Sequence, residues 1–163
     1  MICLDTNVLI WAAQTEEVSA EPALVERTRR YLEHLESTGS PVGIPAPVLA
    51  EYLVKLQGME CLEAHITVLF ERFQILPMST HAALIAGRLM SHKAELQAIQ
   101  KNAGHPRQAV RVDAMVAAIA AAEGATLISH DPGLRKLADL ASVSCREVPE
   151  SFSQGEIFPD QGT

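Results

Sequence analysis

The chain opens with MICLDTNVLIWAA (residues 1–13), and the position of one charge in this stretch bears most directly on the fold. Residues 2–4 form a short apolar run, which predicts a buried strand. Asp5 follows that run directly, and residues 8–13 turn apolar again, as expected for a helix that Asp5 or Thr6 can cap. An acid at the tip of a buried strand is either a cap or part of a site.

The composition is that of an ordinary globular domain with an acidic balance. The 163 residues are 48% hydrophobic and 20% charged, which suits one domain with a core of its own. The formal net charge of −7 argues against a large basic surface that binds nucleic acid. A local basic patch is still compatible with this net charge. Aromatic residues make up only 4%, so we do not expect an aromatic platform for single strands.

The cysteines and the N-terminus predict a cytoplasmic protein without membrane contact. Cys3, Cys61 and Cys145 are far apart and form no C-x-x-C pair, which favours free thiols in a reducing compartment. The start of the chain lacks the basic segment and cleavage site of a signal peptide. The longest apolar stretch, residues 114–122, is far shorter than the roughly 20 residues that span a bilayer.

Short apolar runs alternate with helical patterns along the whole chain. The predicted strands are residues 2–4, 42–45, 73–79, 125–131 and 142–148. The predicted helices are 8–13, one from Pro22, one from Pro47, 62–72, a long one capped by Ser79 that breaks near Gly104, 106–123 and 134–140. This alternation predicts an α/β fold with a parallel sheet covered by helices on both faces.

Two acids follow predicted strands directly. Asp5 ends the first strand and Asp131 ends the fourth, in SHDPG. Ligands of open α/β sheets bind outside the carboxyl ends of the strands, so both acids are on the side where a site is expected. Each has a simpler explanation, since Asp5 can cap a helix and Asp131 can form a turn.

Two more acids lie in strongly apolar helices. Glu51 lies in PAPVLAEYLVKL, and Asp113 is followed by nine residues without a polar group. A buried carboxylate is costly unless it is paired or binds a metal. Glu51 can instead be a solvated residue paired with Lys55 one turn later, and Asp113 can be an N-cap, although Pro106 marks an earlier helix start.

One explanation covers all four acids. Carboxylates that converge at the strand tips repel one another without a cation, and with one they form a site of hard oxygen ligands for Mg²⁺ or Mn²⁺. Such ions activate water and stabilise charge on phosphoryl oxygens, so hydrolysis of phosphodiesters is the expected chemistry.

The motifs LDTNVLI, PAPVLAEYL and RVDAMVAAIAAAEGATLISHD resemble those of the PIN domain family, and most closely the VapC-like toxins of toxin–antitoxin systems. The resemblance implies a three-layer α/β/α sandwich with a mainly parallel five-stranded sheet in the order 3-2-1-4-5. It implies an endoribonuclease dependent on Mg²⁺ or Mn²⁺ that cuts single-stranded RNA, with a cognate antitoxin. Asp5, Glu51, Asp113 and Asp131 match the catalytic and metal-binding acids of the family, and Asn7 and Ser129 match polar positions that support them. Thr6 is a further supporting residue.

The resemblance covers about residues 1–148, so we expect a PIN domain at 1–148 and a C-terminal tail at 149–163. The segment 91–112 is longer than usual for the family and rich in cations. Arg107 and Arg111, one helical turn apart, are predicted to contact RNA. We also expect a homodimer. An inactive PIN-like scaffold that binds RNA or protein is the alternative to an enzyme.

Other phosphate enzymes fit the sequence less well. A haloacid dehalogenase needs an aspartate at position 7, where Asn7 cannot exchange a proton, and a receiver domain needs a lysine after the fifth strand. His130-Asp131 resembles the motif of helical metal phosphohydrolases, but the other histidines lack H-x-x-x-H spacing. The chain also lacks a Walker loop, a G-x-G-x-x-G loop and a G-x-S-x-G elbow.

Overall fold

The computed structural model describes residues 1–14, 19–57, 62–103 and 106–151. Strands and helices alternate, as the sequence predicts, along these ranges. The strands are β1 (Ile2–Leu4), β2 (Val42–Pro45), β3 (Gln74–Leu76), β4 (Thr126–Ile128) and β5 (Cys145–Arg146). The helices are α1 (Thr6–Ala13), α2 (Pro22–Ser37), α3 (Ala46–Lys55), α4 (Leu62–Arg72), α5 (Thr80–Ser91), α6 (Lys93–Ala103), α7 (Arg107–Ala122) and α8 (Pro132–Leu140).

The five strands form one parallel sheet in the order β3-β2-β1-β4-β5, which confirms the predicted topology. Every residue of β1 and β2 is buried. Because alternate residues of a strand face opposite sides of a sheet, this burial means that both faces are covered. The fold is therefore the expected three-layer α/β/α sandwich.

The position of β1 at the centre of the sheet determines where a site can form. Ile2 is in register with Val42 of β2 on one side and with Thr126 of β4 on the other. The strand order reverses at β1, and a crevice opens at such a point beyond the carboxyl ends of the strands. Asp5 and residues 129–131 follow β1 and β4 at this edge.

The segment 91–112 differs from the prediction of one long helix before Gly104. The helix capped by Ser79 ends at Ser91, and α6 starts at Lys93 after a break at His92, whose backbone has φ −77° and ψ 65°. The break turns α6 so that Ile99 is buried beside Gly133 at the start of α8. Helix α6 therefore packs against the start of α8, next to Asp131.

Other local predictions are confirmed. Asp5 caps α1, and Gly124 follows α7 with a φ of 58°, the left-handed conformation that favours glycine at a helix end. Cys3 and Cys145 carry free thiols, whereas Cys61 and residues 152–163 of the predicted tail lie outside the described ranges. In the part of the chain that the structure describes, no helix is long and apolar enough to cross a bilayer.

Candidate active site

Asp5 is buried at the point where β1 passes into α1, with a side-chain exposure of 7% of its full surface. Its Oδ1 accepts a 2.6 Å hydrogen bond from the Thr6 amide, and its Oδ2 accepts a 2.7 Å hydrogen bond from the Ser129 hydroxyl. Its own amide donates to the Ile128 carbonyl at 3.1 Å, which joins the two strand tips. Asp5 is thus both the cap of α1 and a member of the site, so the two explanations are compatible.

Asp131 has the equivalent position after β4. Its Oδ1 accepts a 2.6 Å hydrogen bond from the Leu134 amide and so caps α8, while its amide donates to the Ser129 hydroxyl at 3.0 Å. Ser129 is completely buried, and its hydroxyl binds the Asp5 carboxylate and the Asp131 amide at the same time. A Cβ at Gly133 would lie 2.9 Å from the Asp131 Oδ1, so a glycine there leaves room for the carboxylate.

Asp113 lies in the second turn of α7, which begins at Arg107, so it is not an N-cap. Its carboxyl group is largely buried and makes no hydrogen bond to a described residue. Burial, together with the charges of Asp131, Asp5 and Glu51, raises its pKa to about 7. The ionised form of this carboxyl group is therefore much less favoured than that of an exposed aspartate.

Glu51 projects from α3 towards the start of α1. Its Oε2 accepts a 2.7 Å hydrogen bond from the Thr6 hydroxyl, and no ion pair joins it to Lys55 among the described contacts. Glu51 is exposed, as the simpler explanation of this acid predicts, but the fold does not adopt the predicted pairing with Lys55. Thr6 connects Glu51 to Asp5, because its amide and its hydroxyl each bind one of the two carboxylates.

The four acids converge on one open cleft of about 390 Å³. The residues that line it are Asp5, Thr6, Asn7, Glu51, Val54, Lys55, Ala109, Asp113 and Asp131. The pKa of Asp5 is raised to about 6, because burial and the charges of Asp131 and Glu51 outweigh the hydrogen bonds from Ser129 and Thr6, which lower it. Four elements of the fold thus bring their carboxylates into one field of negative charge.

A sequence model of the PIN domain matches residues 2–140. The chain belongs to the PIN domain family. Members of this family are generally nucleases. A comparison with curated proteins gives no match.

Solved structures support the fold of this PIN domain. VapBC2 from Rickettsia felis, bound to a DNA fragment from its promoter, matches with a TM-score of 0.61 and 19% identity over 90% of this chain and 98% of that chain. FitAcB from Neisseria gonorrhoeae matches with a TM-score of 0.55 and 24% identity over 91% and 98%. VapBC-1 from nontypeable Haemophilus influenzae matches with a TM-score of 0.60 and 18% identity over 91% and 98%.

The donor chemistry of the PIN domain cleft fits a hard divalent cation. Its acids are all carboxylates, and the raised pKa values of Asp5 and Asp113 reflect burial and crowded negative charge that a cation would offset. Within the described ranges, however, no group of three or more His, Cys, Asp or Glu side chains is arranged to hold a metal ion. An ion here would need reoriented carboxylates or water molecules among its ligands, as Mg²⁺ commonly has.

The predicted supporting residues lie beside these acids, whereas Arg111 lies elsewhere. Asn7 is exposed and lines the cleft, and Thr6 and Ser129 bind the carboxylates described above. Arg111 is exposed and lines a separate cavity of about 220 Å³ between α5, α6 and α7. The side chain of Arg107 lies outside the described part of the structure.

Sequence reasoning did not single out Val54, Lys55 or Ala109 as residues that line the cleft. Helical spacing carried a signal for two of them, because Lys55 follows Glu51 by one turn and Ala109 precedes Asp113 by one turn.

Sequence reasoning also assigned no packing or hydrogen-bonding role to His130. Its ring stacks edge-on against Trp11 at 5.0 Å between centroids, and its Nε2 accepts a 3.1 Å hydrogen bond from the Val148 amide.

Proposed function

We propose that this PIN domain is a divalent-metal-dependent endoribonuclease that cuts single-stranded RNA and acts as the toxin of a toxin–antitoxin pair. The observation that carries the proposal is the convergence of Asp5, Glu51, Asp113 and Asp131 on one open cleft at the strand tips. Carboxylates gathered in this way, with two pKa values raised, are typical of sites that bind a divalent cation.

In this proposal Asp5, Asp113 and Asp131 would hold Mg²⁺ or Mn²⁺, and Glu51 would join them directly or through water. When bound, such an ion would supply an activated water and would offset charge on the phosphoryl oxygens. The protein's own part is positioning. Ser129 fixes the Asp5 carboxylate by a 2.7 Å hydrogen bond, and the Thr6 hydroxyl fixes Glu51 at the same distance. A side-chain nucleophile is not needed.

The toxin assignment draws on the relatives whose fold this chain shares. VapBC and FitAB name pairs of proteins, and the proteins of the Rickettsia pair were solved on DNA from their own promoter. We propose that this chain likewise has an antitoxin partner and forms a homodimer. An antitoxin that inserts an arginine among the cleft carboxylates would inhibit it, because the guanidinium pairs with a carboxylate through two hydrogen bonds.

An RNA cleavage assay tests the enzymatic proposal. The wild-type protein and Asp5→Asn are incubated with single-stranded RNA in the presence of Mn²⁺ or EDTA. We expect cleavage only by the wild type with Mn²⁺. Binding of Mn²⁺ without cleavage of any RNA would instead favour an inactive scaffold that binds RNA or protein.

Growth of the expressing cell tests the toxin assignment separately. We expect expression of the wild type to slow growth and Asp5→Asn to relieve that effect. Co-expression of a small neighbouring reading frame should restore growth of the wild type. Asp139→Asn, an exposed acid on α8 outside the cleft, is the matched control and should stay toxic. Unimpaired growth with soluble, RNA-cleaving protein would contradict the toxin assignment and leave the nuclease intact.

A further inference from the structure

The end of α3 brings a cation and an apolar side chain to a cleft that is otherwise acidic. Val54 and Lys55 are the last two residues of the helix, and both line the cleft beside Glu51. Val54 is 63% exposed, which is unusual for a valine next to a carboxylate site. Among the described residues that line the cleft, Lys55 carries the positive charge.

Lys55 is available for a partner from outside the chain. A glutamate followed by a lysine four residues later in a helix normally forms an ion pair. Here the Thr6 hydroxyl donates a 2.7 Å hydrogen bond to the Glu51 Oε2. Lys55 makes no ion pair with any residue that the structure describes. Its ammonium group is also favoured at this place, because the carboxyl end of a helix attracts positive charge.

The charge of the cleft explains why such a group is needed. The four carboxylates repel a phosphodiester chain until a metal ion offsets them, and the net charge of −7 adds no general attraction for RNA. A flexible lysine at the rim can contact a phosphate beside the scissile one. The exposed valine that directly precedes this lysine can cover the face of a nucleobase and remove both apolar surfaces from water.

We infer that Val54 and Lys55 form the docking site for the RNA strand at the cleft, with Lys55 bound to a phosphate and Val54 packed against a base. This inference rests on the proposed ribonuclease function. The Lys55 contact is electrostatic and weakens as salt increases, whereas the Val54 contact is hydrophobic and does not depend on screening.

The binding test uses the intact chain with Asp5→Asn, which prevents cleavage, and a short fluorescent single-stranded RNA of mixed sequence with Mn²⁺ present. We expect Lys55→Gln to weaken binding several-fold and to make the slope of log K against log salt shallower by about 0.7, the value for one phosphate contact on a single strand. Lys55→Arg should keep the slope. Lys136→Gln on α8, an exposed lysine at a separate cavity, should change neither quantity.

Val54→Ser tests the apolar contact. We expect an affinity loss of about threefold with an unchanged salt slope, because the contact carries no charge. Val68→Ser on α4 is the matched control, since Val68 is 51% exposed and does not line the cleft. Thermal unfolding of all variants shows whether a loss of binding comes from a loss of folding.

The result that overturns the inference is equal affinity and equal salt slope for Lys55→Gln and Lys136→Gln, or absence of RNA binding by an Asp5→Asn protein that still binds Mn²⁺. Failure of the proposed function has a different signature. In that case the wild type cleaves no RNA with Mn²⁺, whatever the behaviour of the α3 variants in the binding assay.

Discussion

The Ser129 hydroxyl donates a 2.7 Å hydrogen bond to the Asp5 carboxylate across 124 residues of chain, and this bond joins the tips of β4 and β1. The same hydroxyl accepts the Asp131 amide at 3.0 Å. One buried oxygen therefore fixes two acids that come from separate strands. Its hydrogen bond also holds the pKa of Asp5 below the value that burial alone would give.

Ser129→Ala should disable the site with moderate damage to the fold. The change leaves the buried Asp5 Oδ2 without its donor, at a cost of about 1–3 kcal/mol in the free energy of unfolding. The pKa of Asp5 should rise further above about 6 and move the pH profile of cleavage upwards. Ser129→Thr should retain activity, and Ser91→Ala, which removes an exposed hydroxyl, is the control. An unshifted pH profile would contradict this role for Ser129.

Asp113→Asn should abolish RNA cleavage and stabilise the metal-free protein. Asp113 has a pKa raised to about 7, so above this pH it is mainly ionised and its charge destabilises the folded state. Removing the charge should raise the free energy of unfolding by about 1–2 kcal/mol at pH 8, after allowance for partial exposure. Urea unfolding measures the change, with Asp139→Asn as the neutral comparison. Strong destabilisation would make Asp113 a structural residue instead.

The contribution of Asp5 and Asp113 to the stability of the metal-free protein should become more favourable as the pH falls from about 8 towards 4, which the difference between the wild type and the Asp5→Asn, Asp113→Asn double variant isolates. The folded pKa values of Asp5 and Asp113, about 6 and about 7, exceed the ordinary value of 3.8, so the folded state binds more protons between these limits. Their unfavourable contribution is absent below the ordinary value and complete above about 7. Affinity for Mn²⁺ should move in the opposite direction, because the ion competes with these protons. Urea unfolding without metal measures the first trend and calorimetric titration with Mn²⁺ measures the second, each at several pH values.

Gly133→Ala should impair the site more than an ordinary helix substitution does. The new Cβ would lie 2.9 Å from the Asp131 Oδ1 and 3.0 Å from the Ile99 Cγ2, so the carboxylate or α6 must move. We expect a loss of about 1–3 kcal/mol in stability and a lower cleavage rate. Gly87→Ala in α5 is the control, because nothing lies within 4 Å of its Cβ and alanine favours helix. Equal behaviour of the two variants would contradict a steric role for Gly133.

The double change Arg107→Ala and Arg111→Ala tests whether the inserted segment also holds RNA. If both side chains contact phosphates, RNA binding by an Asp5→Asn background should weaken for all sequences, and the salt slope should fall by about one to two units. Arg111 is exposed on a different cavity from the acids, so affinity for Mn²⁺ should barely change. An unaltered salt slope would leave the insertion with a packing or assembly role.

Local sequence patterns predicted much of the fold because short-range physics determines those features. The apolar run of residues 2–4 and its Asp5 cap appear as predicted, since a buried strand and a side-chain cap need only neighbouring residues. Sequence reasoning did not predict the break at His92, because no glycine or proline marks it and the contact that accompanies it joins Ile99 to Gly133. That contact depends on residues far apart in the chain.

The sequence predicted that the four acids converge, but it did not determine their hydrogen-bond partners. Glu51 and Lys55 have the spacing of an ion pair, and the sequence alone left that pairing open. In the structure Glu51 instead accepts a hydrogen bond from Thr6, a residue distant in sequence that the fold brings close. The same orientation of α3 turns Val54 and Lys55 towards the cleft. Helical periodicity does not determine which way a helix faces in the finished fold.

The central place of β1 also has a consequence for synthesis of the protein. A nascent chain that ends after β3 already contains Asp5 and Glu51, but β4 and Ser129 have not been translated and one edge of β1 is still unpaired. The acidic cleft can be completed only when the ribosome has added the last third of the domain. During translation, therefore, a binding partner can meet a chain whose cleft does not yet exist.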